Sequence, residues 1–194
     1  MWITSDNPVF FDTDCLSSFL AARRLKVLVD LFGDRIRVPA EVVRELEGLR
    51  YDPSSTYMLS SLMDFLRGNP QARVVIEVGG DIYAVYQRLK AESVARPLGA
   101  GEMAVMAHAL QERGIVASNN LRDVKEFCLR YCLDLICTEH IIVGAVARNL
   151  ISYGAAKKTW HHMRITGTRL PAYGLDGAWE RLATRLQIAP TQDP

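Results

Sequence analysis

The hydrophobic positions along the chain fall into short continuous runs, each followed by a longer segment with helical spacing. Continuous rather than alternating apolar runs are typical of strands that are buried on both faces of a parallel sheet. Strands that alternate with covering helices predict an α/β fold. The runs that predict strands are residues 9–12 (VFFD), 35–38 (RIRV), 115–118 (IVAS) and 134–137 (DLIC).

The segments between and after these runs predict helices. The helix after the second run opens at Pro39, a residue favoured in a first helical turn, and gathers its apolar residues on one side. Residues 52–95 carry two further helical patterns around a short β-prone run and several glycines, which predicts an insertion or flap. We expect a main domain over residues 1–151 and a helical tail over residues 152–194 that packs on the same domain.

Composition excludes several classes of protein. A chain of 194 residues has the size of one domain, and 49% hydrophobic with 23% charged residues rules out disorder. No apolar stretch approaches the roughly 20 residues that cross a bilayer, and no basic segment leads into an apolar one at the start, so we expect a cytoplasmic protein without membrane contact. The four cysteines form no CxxC pair, which favours reduced interior thiols.

Polar side chains recur at the predicted carboxyl ends of the strands, where parallel α/β sheets bind their ligands. Asp12 closes the first strand, where packing does not require a charge, and Glu45 lies near the apolar side of the helix after the second strand. Glu102 opens a helix that is apolar almost all round. With the residues after the third strand, the predicted set is Asp12, Glu45, Glu102, Ser118, Asn120 and Asp123.

Each of these residues also has an ordinary structural explanation. Asp12 is suited to capping the first helix, although Thr13 or Asp14 could do so instead. A solvated helix face accounts for Glu45, and the helix dipole favours a glutamate in a first turn, as at Glu102. Asn120 and the acid three residues later have the spacing of a capping pair. The functional hypothesis therefore rests on their joint placement at one sheet edge.

A cluster of three or four carboxylates needs compensation. Carboxylates within ~5 Å of each other repel by roughly 3 kcal/mol per pair at an effective dielectric constant near 20. Protons or divalent cations must neutralise that repulsion. Because the ligands are oxygens, without clustered His or Cys, the expected ion is Mg²⁺ or Mn²⁺. Such ions activate water and stabilise charge on a phosphodiester during in-line displacement, which predicts a phosphodiesterase-type nuclease.

Four motifs in this order resemble those of the PIN domain family, the metal-dependent ribonucleases that include VapC-like toxins of bacterial toxin–antitoxin pairs. They are VFFDTDCLS, VPAEVVREL, LGAGEMAVMAHALQERGIVASNNLRDV and CLDLICTEHIIVGAVARNLI. The resemblance spans most of residues 8–151, with residues 52–95 poorly covered. It implies a three-layer α/β/α sandwich with a central parallel β-sheet and cleavage of single-stranded RNA. It also implies a homodimer and, for a toxin, an antitoxin protein as partner.

The resemblance assigns roles to the predicted residues. Asn120 stands where many members have Asp, but an acid follows three residues later, as in some toxin members. This departure leaves open an impaired second metal site, and with it an alternative function as a catalytically impaired PIN-like module that binds RNA or a protein. The implied set is Asp12, Glu45, Glu102 and Asp123 as catalytic acids that bind Mg²⁺ or Mn²⁺, Asn120 at the metal site, and Ser118 as a supporting hydroxyl.

The net charge of +1 hides an uneven distribution along the chain. No Asp or Glu lies between residues 140 and 175, a stretch with five Lys or Arg, whereas the rest carries 18 basic against 22 acidic residues. This stretch contains KKTWHHMR, in which an indole among cations is suited to stacking on an unpaired base. An ordinary solvated helix is the alternative. The residues predicted to contact RNA are Lys157, Lys158, Trp160 and Arg164.

Overall fold

The computed structural model describes residues 5–48, 53–93 and 97–183. The strands in these ranges are β1 (Val9–Phe11), β2 (Ile36–Pro39), β3 (Arg73–Val74), β4 (Ile115–Ala117) and β5 (Asp134–Ile136). The α-helices are α1 (Thr13–Ala21), α2 (Leu25–Phe32), α3 (Ala40–Gly48), α4 (Pro53–Gly68), α5 (Asp81–Glu92), α6 (Ala100–Glu112), α7 (Leu121–Arg130), α8 (Thr138–Ala147), α9 (Tyr153–Ile165) and α10 (Gly174–Ala183).

The described strands form one sheet in the order β3-β2-β1-β4-β5, with every neighbouring pair parallel. Strand β1 lies at the centre, where Val9 is in register with Ile36 on one side and Ile115 on the other. Helices flank this sheet, an arrangement consistent with a three-layer α/β/α sandwich. The predicted α/β fold class is confirmed. Because all strands run the same way, their carboxyl ends meet at one edge of the sheet.

The predicted strands are found within one residue of their expected bounds. All three residues of β1 and of β4 are buried, which explains why their apolar runs are continuous. The polar residues Asp12 and Ser118, which were predicted to close these strands, lie just beyond them. Asp12 still donates its backbone N–H to the Ala117 carbonyl at 2.9 Å, so the two strand ends stay side by side.

The segment predicted as an insertion or flap is built into the fold. Its β-prone run supplies β3, which pairs with β2 and forms one edge of the sheet. Leu62 of α4 and Leu89 of α5 are fully buried in the core. The described part of this segment, residues 53–93, thus contributes an edge strand and core residues, and its origin as an insertion stays a prediction. Residues 52, 94 and 95 of the predicted segment lie outside the described residues.

The C-terminal helices α9 and α10 pack against each other and against α8. Met163 of α9 and Ala178 of α10 are fully buried, so this part of the chain shares the main core. Residues 184–194 of the predicted tail lie outside the described residues. Among the helices of the described ranges, none is long and apolar enough to span a lipid bilayer.

Candidate acidic functional site

Asp12 lies at the carboxyl end of the central strand and is only 3% exposed. It is the N-cap residue of α1, and its Oδ1 accepts a hydrogen bond from the backbone N–H of Thr13 at 2.6 Å. Its Oδ2 accepts one from the hydroxyl of Ser118 at 2.8 Å. Parallel pairing of β1 with β4 brings these two residues together although they are 106 positions apart. Asp12 is therefore both a helix cap and a buried carboxylate at the predicted edge.

Glu45 connects α3 to the starts of two other helices. Its Oε2 accepts a hydrogen bond from the Thr13 hydroxyl, and its Oε1 accepts one from the backbone N–H of Gly101 at 2.8 Å. A Cβ atom at Gly101 would lie 2.6 Å from Glu45 Oε2, so a side chain at this position would displace the Glu45 carboxylate. Glu45 is partly buried, as its position on the helix predicted.

Glu102 lies in the first turn of α6, and two neighbours orient its carboxylate. The backbone N–H of Gly99 donates to Oε2 at 2.8 Å, which is the helix-start role that the sequence offered as an alternative. The side-chain amide of Asn120 donates to Oε1 at 2.5 Å. Asn120 is the N-cap residue of α7, but its side chain makes no capping hydrogen bond. The capping explanation is therefore wrong for the Asn120 side chain, which binds Glu102 instead.

Asp14 is a residue of the site that the sequence interpretation left out. Its Oδ1 accepts a hydrogen bond from the backbone N–H of Asn119 at 3.1 Å, so it faces the end of β4. The Asn119 side chain donates to the Ser18 hydroxyl at 3.2 Å and accepts from the Thr138 N–H at 2.9 Å, which ties this loop to α1 and α8. The Asp-Thr-Asp sequence is the signal that points to Asp14, but in the sequence Asp14 is explained as an alternative N-cap residue of α1.

Burial and repulsion act together on Asp12. Removal from water raises the pKa of its carboxyl well above the ordinary value, and the charges of Asp14 and Glu102 raise it further. Hydrogen bonds from Ser118 and Thr13 lower the pKa but do not cancel the rise. The clustered negative charge at this edge is therefore costly, as the sequence predicted, and a bound cation or a proton would relieve it.

These acids line an open cleft of about 980 Å³ at the carboxyl edge of the sheet, which we call the acidic cleft. Its walls come from α1, α3, α4, the starts of α6 and α7, and the loop after α9. Asp123, the predicted fourth acid, lines the cleft from the first turn of α7. Polar and charged lining residues include Asp12, Asp14, Glu45, Glu102, Asn119, Asn120, Arg122, Asp123 and Arg169.

The donor set of the acidic cleft fits a hard divalent cation. Its ligand atoms are carboxylate and amide oxygens, and no His or Cys of the described residues lines it. In Asp12, Glu45 and Glu102, each carboxylate oxygen accepts one hydrogen bond, which fixes the group and leaves a further lone pair on each oxygen. Mg²⁺ commonly keeps several waters and binds through one or two carboxylates, so these acids suit a hydrated ion.

A tighter cluster of metal-type ligands lies at the start of α8. The ligand atoms of Cys137, Glu139 and His140 lie within 4.8 Å of one another. Their contacts are those of a helix start: His140 Nδ1 accepts from the Cys137 N–H at 3.3 Å, and Tyr173 donates to Glu139 at 2.6 Å. Burial and the Glu139 charge raise the pKa of the Cys137 thiol to about 11, so it stays protonated at neutral pH.

The structure overturns the predicted role of Trp160. Its side chain is 4% exposed and packs in the core, so its ring is not available to stack on a base. Ala156 and Met163 are buried on the same side of α9, at helical spacing from it. Lys157, also predicted to contact RNA, is exposed and lies 3.1 Å from Asp176 of α10, and its RNA contact stays a prediction.

The other predicted RNA contacts on α9 are exposed and are not part of the cleft lining. They are Lys158 and Arg164, both among the described residues. The basic residues that do line the cleft are Arg122 and Arg169. Arg169 belongs to the acid-free stretch but is not among the residues predicted to contact RNA, and the predicted RNA contacts of Lys158 and Arg164 stay predictions.

Comparisons with protein-family models and with curated proteins find no match to this chain. Fold and site together define a five-stranded parallel α/β protein, over its described residues, with an acid-lined cleft at the carboxyl edge of the sheet. Membership of the PIN domain family stays a prediction from the motifs.

Proposed function

We propose that the protein is a Mg²⁺- or Mn²⁺-dependent endoribonuclease that hydrolyses phosphodiester bonds of single-stranded RNA in the acidic cleft. One observation carries the proposal: Asp12, Glu45 and Glu102 come from separate elements, are held by hydrogen bonds and line one open cleft, where Asp14 and Glu102 repel the charge of Asp12 and no basic residue of the described ranges pairs with these acids. The motif resemblance supports the same activity. A toxin role with an antitoxin partner, and a homodimer, are further predictions from that resemblance.

The residues that would hold the ion are Asp12, Glu45 and Glu102, with Asp123 beside them. When bound, the ion supplies an activated water and stabilises charge that develops on the phosphate. The chain's own part is to present oxygens in fixed directions. Ser118 and Thr13 hold Asp12, and the Gly99 and Gly101 N–H groups hold the glutamates of α6 and α3. This preorganisation lowers the reorganisation that the reaction requires.

A second candidate function is binding of RNA or a protein without cleavage. The observation that favours it is the amide of Asn120, which donates a hydrogen bond to Glu102 at a position where the resemblance implies an acid. An amide there removes one anionic ligand and occupies one oxygen of another. The two candidates differ in whether metal binding and cleavage occur together.

The test compares Asp12→Asn with Asp6→Asn, because Asp6 precedes the strand that Asp12 follows and is exposed. The proposal expects wild-type protein and Asp6→Asn to cut a short labelled unstructured RNA in Mn²⁺ or Mg²⁺ but not in EDTA, and Asp12→Asn to be inactive while folded by circular dichroism. Undiminished cleavage by Asp12→Asn would refute the site. Calorimetry with Mn²⁺ separates the second candidate, which predicts RNA binding without millimolar Mn²⁺ binding and without cleavage.

A further inference from the structure

Two exposed arginines line the acidic cleft from different parts of the chain. Arg122 lies in the first turn of α7, beside the residues that follow β4, and Arg169 lies in the loop between α9 and α10. Within the described ranges neither has an ion-pair or hydrogen-bond partner, whereas Arg130 at the other end of α7 pairs with Glu126 at 3.3 Å. Two arginines without an ion-pair partner in the described ranges therefore line the same cleft as the acids.

The loop that carries Arg169 is held firmly against the end of α9. The Thr166 hydroxyl donates to the carbonyls of His162 and Met163, each at 3.1 Å, and the Thr168 N–H donates to the Met163 carbonyl at 2.8 Å. Gly167 has φ +92°, which favours glycine and turns the chain away from the helix axis. The backbone before Arg169 is thus fixed, and this turn lines the cleft.

The carboxylates of the cleft repel the phosphates of a nucleic acid, and the two arginines can offset that repulsion. A nucleic-acid strand brings one negative charge per phosphate into a cleft that already contains Asp12, Asp14 and the two glutamates. A phosphate placed at the acids would need a bound ion as its counter-charge. A strand, in contrast, presents further phosphates on either side, and guanidinium groups bind phosphates with paired hydrogen bonds.

We propose that Arg122 and Arg169 form a two-point grip that binds phosphates flanking the scissile phosphodiester of a single-stranded nucleic acid in the acidic cleft. This inference rests on the proposed function, because it places the scissile bond at the acids. In this proposal the substrate binds to the α9–α10 loop and the start of α7, rather than to α9 as the sequence predicted. The grip recognises the backbone, so its contribution depends on salt rather than on base sequence.

The experiment measures binding separately from cleavage. Arg122→Gln/Arg169→Gln is compared with Arg73→Gln/Arg113→Gln, all in an Asp12→Asn background that leaves RNA intact. The control arginines are exposed and do not line the cleft: Arg73 is the first residue of the edge strand β3, and Arg113 precedes β4. Fluorescence anisotropy with a short labelled single-stranded RNA in Mg²⁺ gives the affinity as a function of KCl concentration.

The grip predicts a specific change in salt dependence. Each phosphate contact on a single strand contributes about 0.7 to the slope of log affinity against log salt, so loss of both arginines lowers the slope by about 1.4. The Arg73/Arg113 variant keeps the slope of the parent. An unchanged slope in the Arg122/Arg169 variant, an equal fall in the control, or no RNA binding by the parent would each overturn the grip.

The outcomes also separate the grip from the proposed function. If wild-type protein with Mn²⁺ does not cut RNA but the slope falls as expected, the nuclease proposal fails and the grip stands as part of a binding module. If wild-type protein cuts RNA and the slope does not change, the nuclease proposal stands and the grip is wrong. Thermal unfolding of both double variants confirms that any change in slope is not a loss of folded protein.

Discussion

The acidic cleft and helix α9 both concentrate charge, but they hold it in different ways. In the cleft, Asp12 is 3% exposed, and its neighbours raise the free energy of its charged form. On α9, Lys158 and Arg164 are exposed to water, where a charge costs little and needs no partner. Charge that is buried against repulsion requires a functional explanation, whereas charge on a solvated helix face does not.

Helix α9 and the turn that follows it also differ in where they place their charged residues. The helix turns Trp160 and Met163 toward the core, which leaves its cations on the solvent side. The turn after the helix lines the cleft and leads into Arg169. The acid-free stretch therefore contributes Arg169 to the acidic cleft, through the turn after α9 rather than through the helix itself.

The strongest test of this contrast is Asp12→Asn, which should remove function while increasing stability. We expect cleavage to fall at least about 100-fold, because metal-assisted catalysis is worth several kcal/mol. In EDTA, the melting temperature should rise, because the substitution removes a buried carboxylate that burial, Asp14 and Glu102 destabilise in its charged form. A raised pKa in the fold means that this destabilisation grows as pH rises, so the gain should be larger at neutral than at acidic pH.

Asp6→Asn is the matched control, with an exposed carboxylate before β1. It should change neither cleavage nor the melting temperature. A lower melting temperature for Asp12→Asn in EDTA would contradict the view that the carboxylate is held at a cost.

The next largest effect is expected at Trp160, on the other side of the comparison. Trp160→Ala should lower the free energy of unfolding by about 3–5 kcal/mol, because it removes a large buried side chain. Ile165→Ala, on the same helix but 70% exposed, should cost less than about 0.5 kcal/mol. Urea unfolding of both variants provides the measurement. A small cost for Trp160→Ala, accompanied by weaker RNA binding, would restore the stacking role predicted from the sequence.

Topology made much of the candidate site predictable from the sequence. Continuous apolar runs identified the strands, and parallel strands bring their ends to one edge, which placed Asp12 and Ser118 together. Helical spacing then identified Glu45, whose carboxylate contacts the starts of α1 and α6, although the Glu41 side chain of the same helix is also largely buried. These inferences need only the order and direction of the elements.

The parts that failed depend on packing between elements. Strand β3 has only two residues, at a sheet edge, so its short apolar run did not reveal that this segment adds a strand to the main sheet. The rotation of α9 is set by its contact with α8 and α1, which KKTWHHMR alone does not reveal. The buried spacing of Ala156, Trp160 and Met163 was the missed signal. Asp14 was missed because a capping role already explained it.

A smaller effect is expected at Asn120, where the cleft departs from the motif. Asn120→Asp replaces a donor to Glu102 with a second carboxylate, so in EDTA the free energy of unfolding should fall by about 1–3 kcal/mol. Mn²⁺ should restore more stability to this variant than to wild type, because the added acid is a ligand for it. Asn149→Asp, at an exposed position, is the control for thermal unfolding with and without Mn²⁺. Equal Mn²⁺ responses in the variant and wild type would place the ion away from residue 120.

The smallest effect is expected on the solvent side of α9. Lys158→Gln/Arg164→Gln removes two exposed cations that do not line the acidic cleft. In the Asp12→Asn background, the slope of log RNA affinity against log salt should stay within the error of the parent, while the loss of Arg122 and Arg169 lowers it by about 1.4. A fall of that size in the α9 variant would show that RNA binds along the helix. In that case the solvated cations of α9, rather than the turn that follows it, would complete the acidic cleft.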